Sequence, residues 1–176
     1  MTDGGGSLGT DATDADVGDE AAAPFDGGLL GNGSFETRAI GCGAGWNAID
    51  NTTAEISAIA HSGANGCKVC TAEPGKHVVR AQIPADGGNF GMQAYFHAAN
   101  DASAPLAYEE ISFQQSNGNY AGGAKEKSVP LADGWTPVQV ASTMPSTAVT
   151  VTVDVGLDAP DGGGCIVVDD VVLFRQ

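Results

Sequence analysis

From Leu29 onward the chain is a succession of short runs in which apolar and polar residues alternate, broken by clusters of Gly, Pro, Asn and Asp. The runs are "LLGNGSFET", "CKVCTAE", "HVVRAQIP", "FGMQAYFHA", "AYEEISFQQ", "TPVQVAST", "AVTVTVDVG" and "CIVVDDVVLF". Period two is the repeat of a strand with one wet and one dry face, and no segment carries the 3.6-residue repeat of an amphipathic helix. The expected fold is therefore all-β: an antiparallel β-sandwich, most naturally a jelly roll, of about eight strands. No internal repeat is visible.

The same alternation sorts side chains onto faces. Met92, Ala94, Phe96 and Ala98 turn one way and Gln93, Tyr95 and His97 the other. Ile111 and Phe113 oppose Tyr108, Glu110, Ser112 and Gln114, while Val79, Ala81 and Ile83 oppose Arg80 and Gln82. If these strands share a sheet, its outer surface is rich in hydrogen-bonding groups; strands split between two sheets would divide the set. The last run poses a separate problem. Asp169 and Asp170 interrupt an apolar stretch, and strict alternation sends them to opposite faces, neither of which looks wet.

Composition narrows the partners. Gly is 26 of 176 residues, charged residues are 16%, and the formal charge is −15 with only seven Lys and Arg. Nucleic acid and anionic membrane surfaces are excluded as partners on that ground. No run of about 18 apolar residues offers a membrane span, and Met1 reads as a start that replaces a removed leader. Residues 1–27 hold seven acidic groups and no Lys or Arg, which predicts a disordered, self-repelling tether ahead of a domain over 28–176. Asp14, Asp16, Asp19 and Glu20 lack the spacing of a helix-loop-helix calcium site.

Four cysteines, Cys42, Cys67, Cys70 and Cys165, predict two disulfides formed in an oxidising compartment, with three pairings open. "CKVC" is half of a zinc motif whose other half is missing. His61, His77 and His97 have no metal-ligand spacing. A glycosidase would need two cooperating carboxyls. Adjacent Glu109 and Glu110 face opposite sides of a strand, leaving Glu110 with Asp154 as the conceivable pair. No serine or cysteine has a nucleophile's neighbourhood, so no enzyme activity is expected.

Five motifs in this order, "NGSFE" (Asn32 to Glu36), Trp46, "HSG" (His61 to Gly63), "GWTPVQV" (Gly134 to Val140) and "VVDDVVL" (Val167 to Leu173), resemble a carbohydrate-binding module of the galactose-binding-like jelly-roll group. Such modules are appended to polysaccharide-degrading enzymes. The resemblance implies a structural Ca²⁺ between the first and last strands, carried over to Glu36 and Asp169, with the "HSGANGCK" loop as the source of further oxygens and Asn65 and Lys68 as secondary candidates. A cation there would neutralise a carboxylate among apolar neighbours. The alternative is that Asp169 or Asp170 accepts backbone amides or pairs with Arg38.

Sugar recognition needs an aromatic plane and polar groups for hydroxyls. Tyr95 with Gln93, His97, Glu110 and Gln114, extended by Tyr108, Tyr120 and Arg80, meets that need, whereas Trp46 and Trp135 occupy core or rim positions in similar modules. The expectation is a monomeric, exported module, secreted or held at the cell surface as a lipoprotein. It is non-catalytic and calcium-stabilised, and binds a polysaccharide or oligosaccharide chain on a concave sheet face centred on Tyr95. The alternative is a structural or adhesion domain of a surface lipoprotein that binds protein and has no sugar site.

Overall fold

A computed structural model describes Met1 and residues 28–37, 40–99 and 105–176. The expected tether and Arg38 lie outside the described residues. Ten strands follow in order: β1 (Asn47–Ala48), β2 (Thr53–Ser57), β3 (Gly66–Thr71), β4 (Gly75–Pro84), β5 (Asn89–Ala98), β6 (Leu106–Gln114), β7 (Lys125–Pro130), β8 (Thr136–Thr143), β9 (Thr150–Ala159) and β10 (Gly164–Arg175). They form two five-stranded sheets, β1-β4-β9-β6-β7 and β2-β3-β10-β5-β8, with every ladder antiparallel. The architecture is the expected β-sandwich, with ten strands rather than eight.

The differences have local causes. β2 ("TAEIS") and β7 ("KEKSVP") were not expected because each is short and weakly apolar. Both are edge strands, and the charges of β7 are what protects an edge from pairing with another chain. Conversely "LLGNGSFET" forms turns, not a ladder. It pins itself by a bridge from Gly28 to Leu173 and a bond from Val171 N to Gly33 O of 2.8 Å. Leu30 and Phe35 then plug the core, where the Phe35 ring lies 5.3 Å from that of Trp46. Trp46 is buried, as expected, and its Nε1 donates to Asn32 O at 2.9 Å.

Between the sheets Val79, Val151, Val153, Val155, Leu157, Ile111 and Phe113 meet Val69, Met92, Ala94, Phe96, Ile166, Val168 and Leu173. Each of these side chains larger than alanine contributes roughly 1.5–3 kcal/mol when fully buried. One inward position breaks the pattern. Glu109 is 0% exposed, sits beside Val155 in the ladder, and neither carboxylate oxygen has a hydrogen-bond partner. Burial pushes its pKa up to about 8, against a weaker opposing pull from Lys127 across the ladder.

The cysteines pair as Cys42–Cys67 and Cys70–Cys165. The second bridge joins residues directly opposite in the β3–β10 register, and no described cysteine is free. Two disulfides in a chain of this size fit an oxidising environment.

Candidate functional site

The candidate ligand residues do not share a face. Arg80, Tyr108, Glu110 and Gln114 stand on β4 and β6, on the outer side of the first sheet. Gln93, Tyr95 and His97 stand on β5, on the outer side of the second. Strand order decides this: β5 and β6 are consecutive in sequence but lie in opposite sheets, so their outward residues point away from each other. Tyr120 is exposed, bridges to Gln114 and accepts Ala124 N at its hydroxyl.

On the second sheet Tyr95 is already engaged. The His61 imidazole stacks on its ring at 3.8 Å and 12°, and its hydroxyl accepts Gln93 Nε2 at 2.9 Å. His97 Nδ1 bonds Ala98 O at 2.5 Å, and half-buried Trp135 packs against both His61 and His97. The loop after β2 brings His61 onto this face, so a platform centred on Tyr95 has one ring face covered by the protein itself.

That loop also answers the paired aspartates. β10 is bulged between Asp169 and Val172, and Asp170 takes φ of 47°. The extra residue breaks period two, so Val171 and Leu173 return to the core while both carboxylates turn to one side. Asp169 Oδ2 accepts His61 N at 2.7 Å and Ser62 N at 3.1 Å. Asp170 accepts Ser62 Oγ at 2.8 Å and meets His61 Nδ1 at 2.7 Å. Burial first, then the charge of Asp170, raises the pKa of Asp169 to about 7, against the pull of those amides.

Glu36 holds the other end of the same loop, taking Ala64 N at 2.7 Å and Asn65 N at 2.9 Å on Oε1, and Asn65 Nδ2 at 2.9 Å on Oε2. Gly63 between these contacts has φ of +65°, and a Cβ there would lie 2.2 Å from Glu36 Oε1. Glu36 and Asp169, distant in sequence, thus flank one short loop. The three carboxylates are hard oxygen donors of the kind Ca²⁺ takes, and the fit is chemical. Among the described residues no three His, Cys, Asp or Glu side chains converge enough to hold a metal alone, so an ion there would draw further oxygens from backbone or water. Lys68 pairs with Glu55 at 3.1 Å and its ammonium offers no lone pair.

The outer side of the first sheet carries an open cleft of about 200 Å³, lined by Ile49, Asp50, Lys76, Val78, Arg80, Tyr108, Glu110 and Asp154. Register aligns Arg80, Asp154, Glu110 and Glu126 across four strands, and Val78, Gly156 and Tyr108 in the next row. Gly156 leaves no side chain between the other two. Arg80 grips Asp154 through two bonds of 2.7 and 2.6 Å, and this pairing raises the Arg80 pKa. Tyr108 is 3% exposed, its hydroxyl lying 2.5 Å from Glu110 Oε2 and 3.0 Å from Glu126 Oε2. Burial and those carboxylates push its pKa upward. Lys76 Nζ sits 2.6 Å from Glu126 Oε2 and 4.7 Å from the Tyr108 ring centre. Further along, Gln82 Nε2 bonds Gln114 Oε1 at 3.1 Å and Thr152 Oγ1 at 3.2 Å. Asp50, Lys76, Asp154 and Glu126 belong to this surface without having been singled out as ligand residues. Alternation could have marked Lys76 on β4 and Asp154 on β9, but Asp50 lies in a turn and Glu126 on the charged edge strand β7, and the assembly of all four needed the strand order.

No family model matches the sequence, and no curated protein matches it. Solved structures do. The CBM22-1 xylan-binding domain of Paenibacillus barcinonensis Xyn10C is 16% identical, with a TM-score of 0.64 over 88% of this chain and 97% of that one. TmCBM61, solved in complex with β-1,4-galactotriose, is 16% identical, with a TM-score of 0.55 over 85% of this chain and 99% of that one. The enzymatically active domain of bacteriophage CBA120 tailspike protein 4 is 13% identical, with a TM-score of 0.63 over 85% of this chain. The chain spans 22% of that tailspike domain and nearly the whole of both binding modules. The fold is that of the jelly-roll carbohydrate-binding modules.

Proposed function

We propose that this chain is a non-catalytic carbohydrate-binding module whose glycan lies across the outer face of β1-β4-β9-β6-β7. The observation that carries the reading is the open cleft over Arg80, Tyr108, Glu110 and Asp154, a concave polar surface on a fold that two glycan modules share nearly end to end. Binding, rather than hydrolysis, suits the state of its carboxyls. Asp154 is locked in a bidentate ion pair, and Glu110 lies beside the Tyr108 hydroxyl in a cleft that is open to water. Xylan and β-1,4-galactotriose, the ligands named for the two modules, are the first to test. Affinity electrophoresis against a panel of soluble polysaccharides should retard the wild type, Glu110→Ala should lose retardation, and Gln93→Ala on the opposite sheet should keep it. Loss in Gln93→Ala alone would move the site to the other face.

We also propose that Ca²⁺ stabilises the loop between Glu36 and Asp169. Supporting this are two buried carboxylates, Asp169 and Asp170, with no Lys or Arg in an ion pair with them among the described residues. Chelator should lower the thermal midpoint, and added Ca²⁺ restore it, because a ligand bound only by the folded state stabilises it by mass action. An unchanged midpoint leaves the loop amides as the whole answer to these charges.

A further inference from the structure

We infer that the cleft on the β4-β9-β6 face selects saccharides that carry protonated amines, amino-sugar chains of the glucosamine type, over neutral and anionic ones. The inference rests on the cleft being the glycan site and concerns which glycan enters it.

The first observation is the balance of charge. Asp50, Glu110 and Asp154 line the cleft against Lys76 and Arg80, and Glu126 borders it. Arg80 is consumed by Asp154 and Lys76 by Glu126. Glu110 and Asp50 form no close ion pair among the described residues and feel Arg80 only at longer range, while Asp154 holds it directly. A chain of formal charge −15 adds a long-range bias in the same direction, repelling uronates and drawing in cations.

The second observation is what the cleft lacks. Its aromatic residue, Tyr108, is 3% exposed, and the Lys76 ammonium lies 4.7 Å from the ring centre. A neutral pyranose gains most from stacking its apolar face on an open ring, and none of the residues lining the cleft presents one; exposed Tyr120 lies beyond it, beside Gln114. Recognition here runs through hydrogen bonds and charge.

The third observation is an ammonium already in place. Lys76 Nζ sits between a carboxylate oxygen and a tyrosine ring, the environment a protonated amino sugar would seek. Lys76 reaches it from an exposed stem, with its side chain 41% exposed, so it is displaceable. The cleft therefore offers an ammonium position that Lys76 fills in the free protein and a ligand amine would take over.

Glucosamine hexamer and N-acetylglucosamine hexamer share one backbone and differ in charge, which makes them the decisive probes. Isothermal titration at mildly acidic pH should give tighter binding to the glucosamine hexamer, weakening as salt rises from about 0.05 to 0.5 M. Glu110→Gln should weaken it about 3- to 5-fold, and Asp50→Asn with Glu110→Gln about 10-fold, the scale of exposed ion pairs. Lys76→Met should strengthen it about 2- to 5-fold by removing the resident competitor. Gln93→Ala on the opposite sheet should change nothing, and thermal midpoints check that each variant is folded. Equal or tighter binding of the acetylated hexamer, xylan or β-1,4-galactan, or indifference to Glu110→Gln, overturns this inference while leaving the glycan site standing. Failure of every glycan to bind removes both.

Discussion

Glu109 offers a measurement in which the fold itself is the instrument. Its carboxyl is fully buried between the sheets with both oxygens unpartnered, and its pKa of about 8 compares with an ordinary value of 4.5. The folded state therefore holds this proton over a range where the unfolded chain has released it. With the native form binding more protons, stability falls as pH rises, starting near 4.5 and ending near 8. At about 1.36 kcal/mol per pH unit over that interval, the loss approaches ~5 kcal/mol. That is a large part of the roughly 5–15 kcal/mol that holds a domain together. Glu109→Met, close in length and unable to ionise, removes the dependence at this site. Denaturant melts of both proteins at fixed ionic strength, from mildly acidic to mildly alkaline pH, isolate it from the self-repulsion of the other acids, which the pair share. The stability difference in favour of the Glu109→Met variant should widen by about 1.4 kcal/mol per pH unit between the two limits and level off above the upper one. A difference independent of pH would mean that Glu109 is solvated or paired, and would refute the reasoning.

Other perturbations have equally direct readouts. Cys70→Ser with Cys165→Ser opens a loop of 95 residues and Cys42→Ser with Cys67→Ser one of 25. Chain entropy then predicts losses of about 4.7 and 3.5 kcal/mol, in that order, by denaturant melts. Gly63→Ala drives a Cβ into Glu36 and forces a left-handed φ on alanine. It should cost ~1–3 kcal/mol and lower the thermal midpoint, whereas Ala64→Gly nearby should cost far less. Arg80→Ala strands Asp154, which is 4% exposed, and should cost about 3 kcal/mol; Arg80→Ala with Asp154→Ala should recover part of that loss.

The pairing of apolar and polar positions was enough to place seven strands, from β3 through β6 and β8 through β10, because alternation is a local property that survives any arrangement of neighbours. It also marked Arg80, Tyr108 and Glu110 as outward residues. β7 escaped because an edge strand is written in charges rather than apolar residues, and its Lys125, Glu126 and Lys127 carry no inward signal. "LLGNGSFET" misled because its apolar residues serve as single plugs, Leu30 and Phe35, held by turns.

Local pattern alone could not say which outward residues share a surface. Tyr95 and Tyr108 follow one another on consecutive strands, yet the connection crosses between sheets and sets them on opposite sides of the molecule. Nor could it foresee that Asp169 and Asp170 would act together, since a bulge, by admitting one left-handed residue, overrides alternation at the one place where obeying it would have driven a carboxylate into the core. The order of residues was sufficient for the class of fold, the sandwich core, the four cysteines of its bridges and which strand side chains turn away from that core, though not which of them stay wet, as buried Tyr108 and Asp154 show. Strand order, the bulge and the loop over β10 were decided by long-range packing. Those choices depend on how segments a hundred residues apart bury one another, and no short window of sequence contains that information.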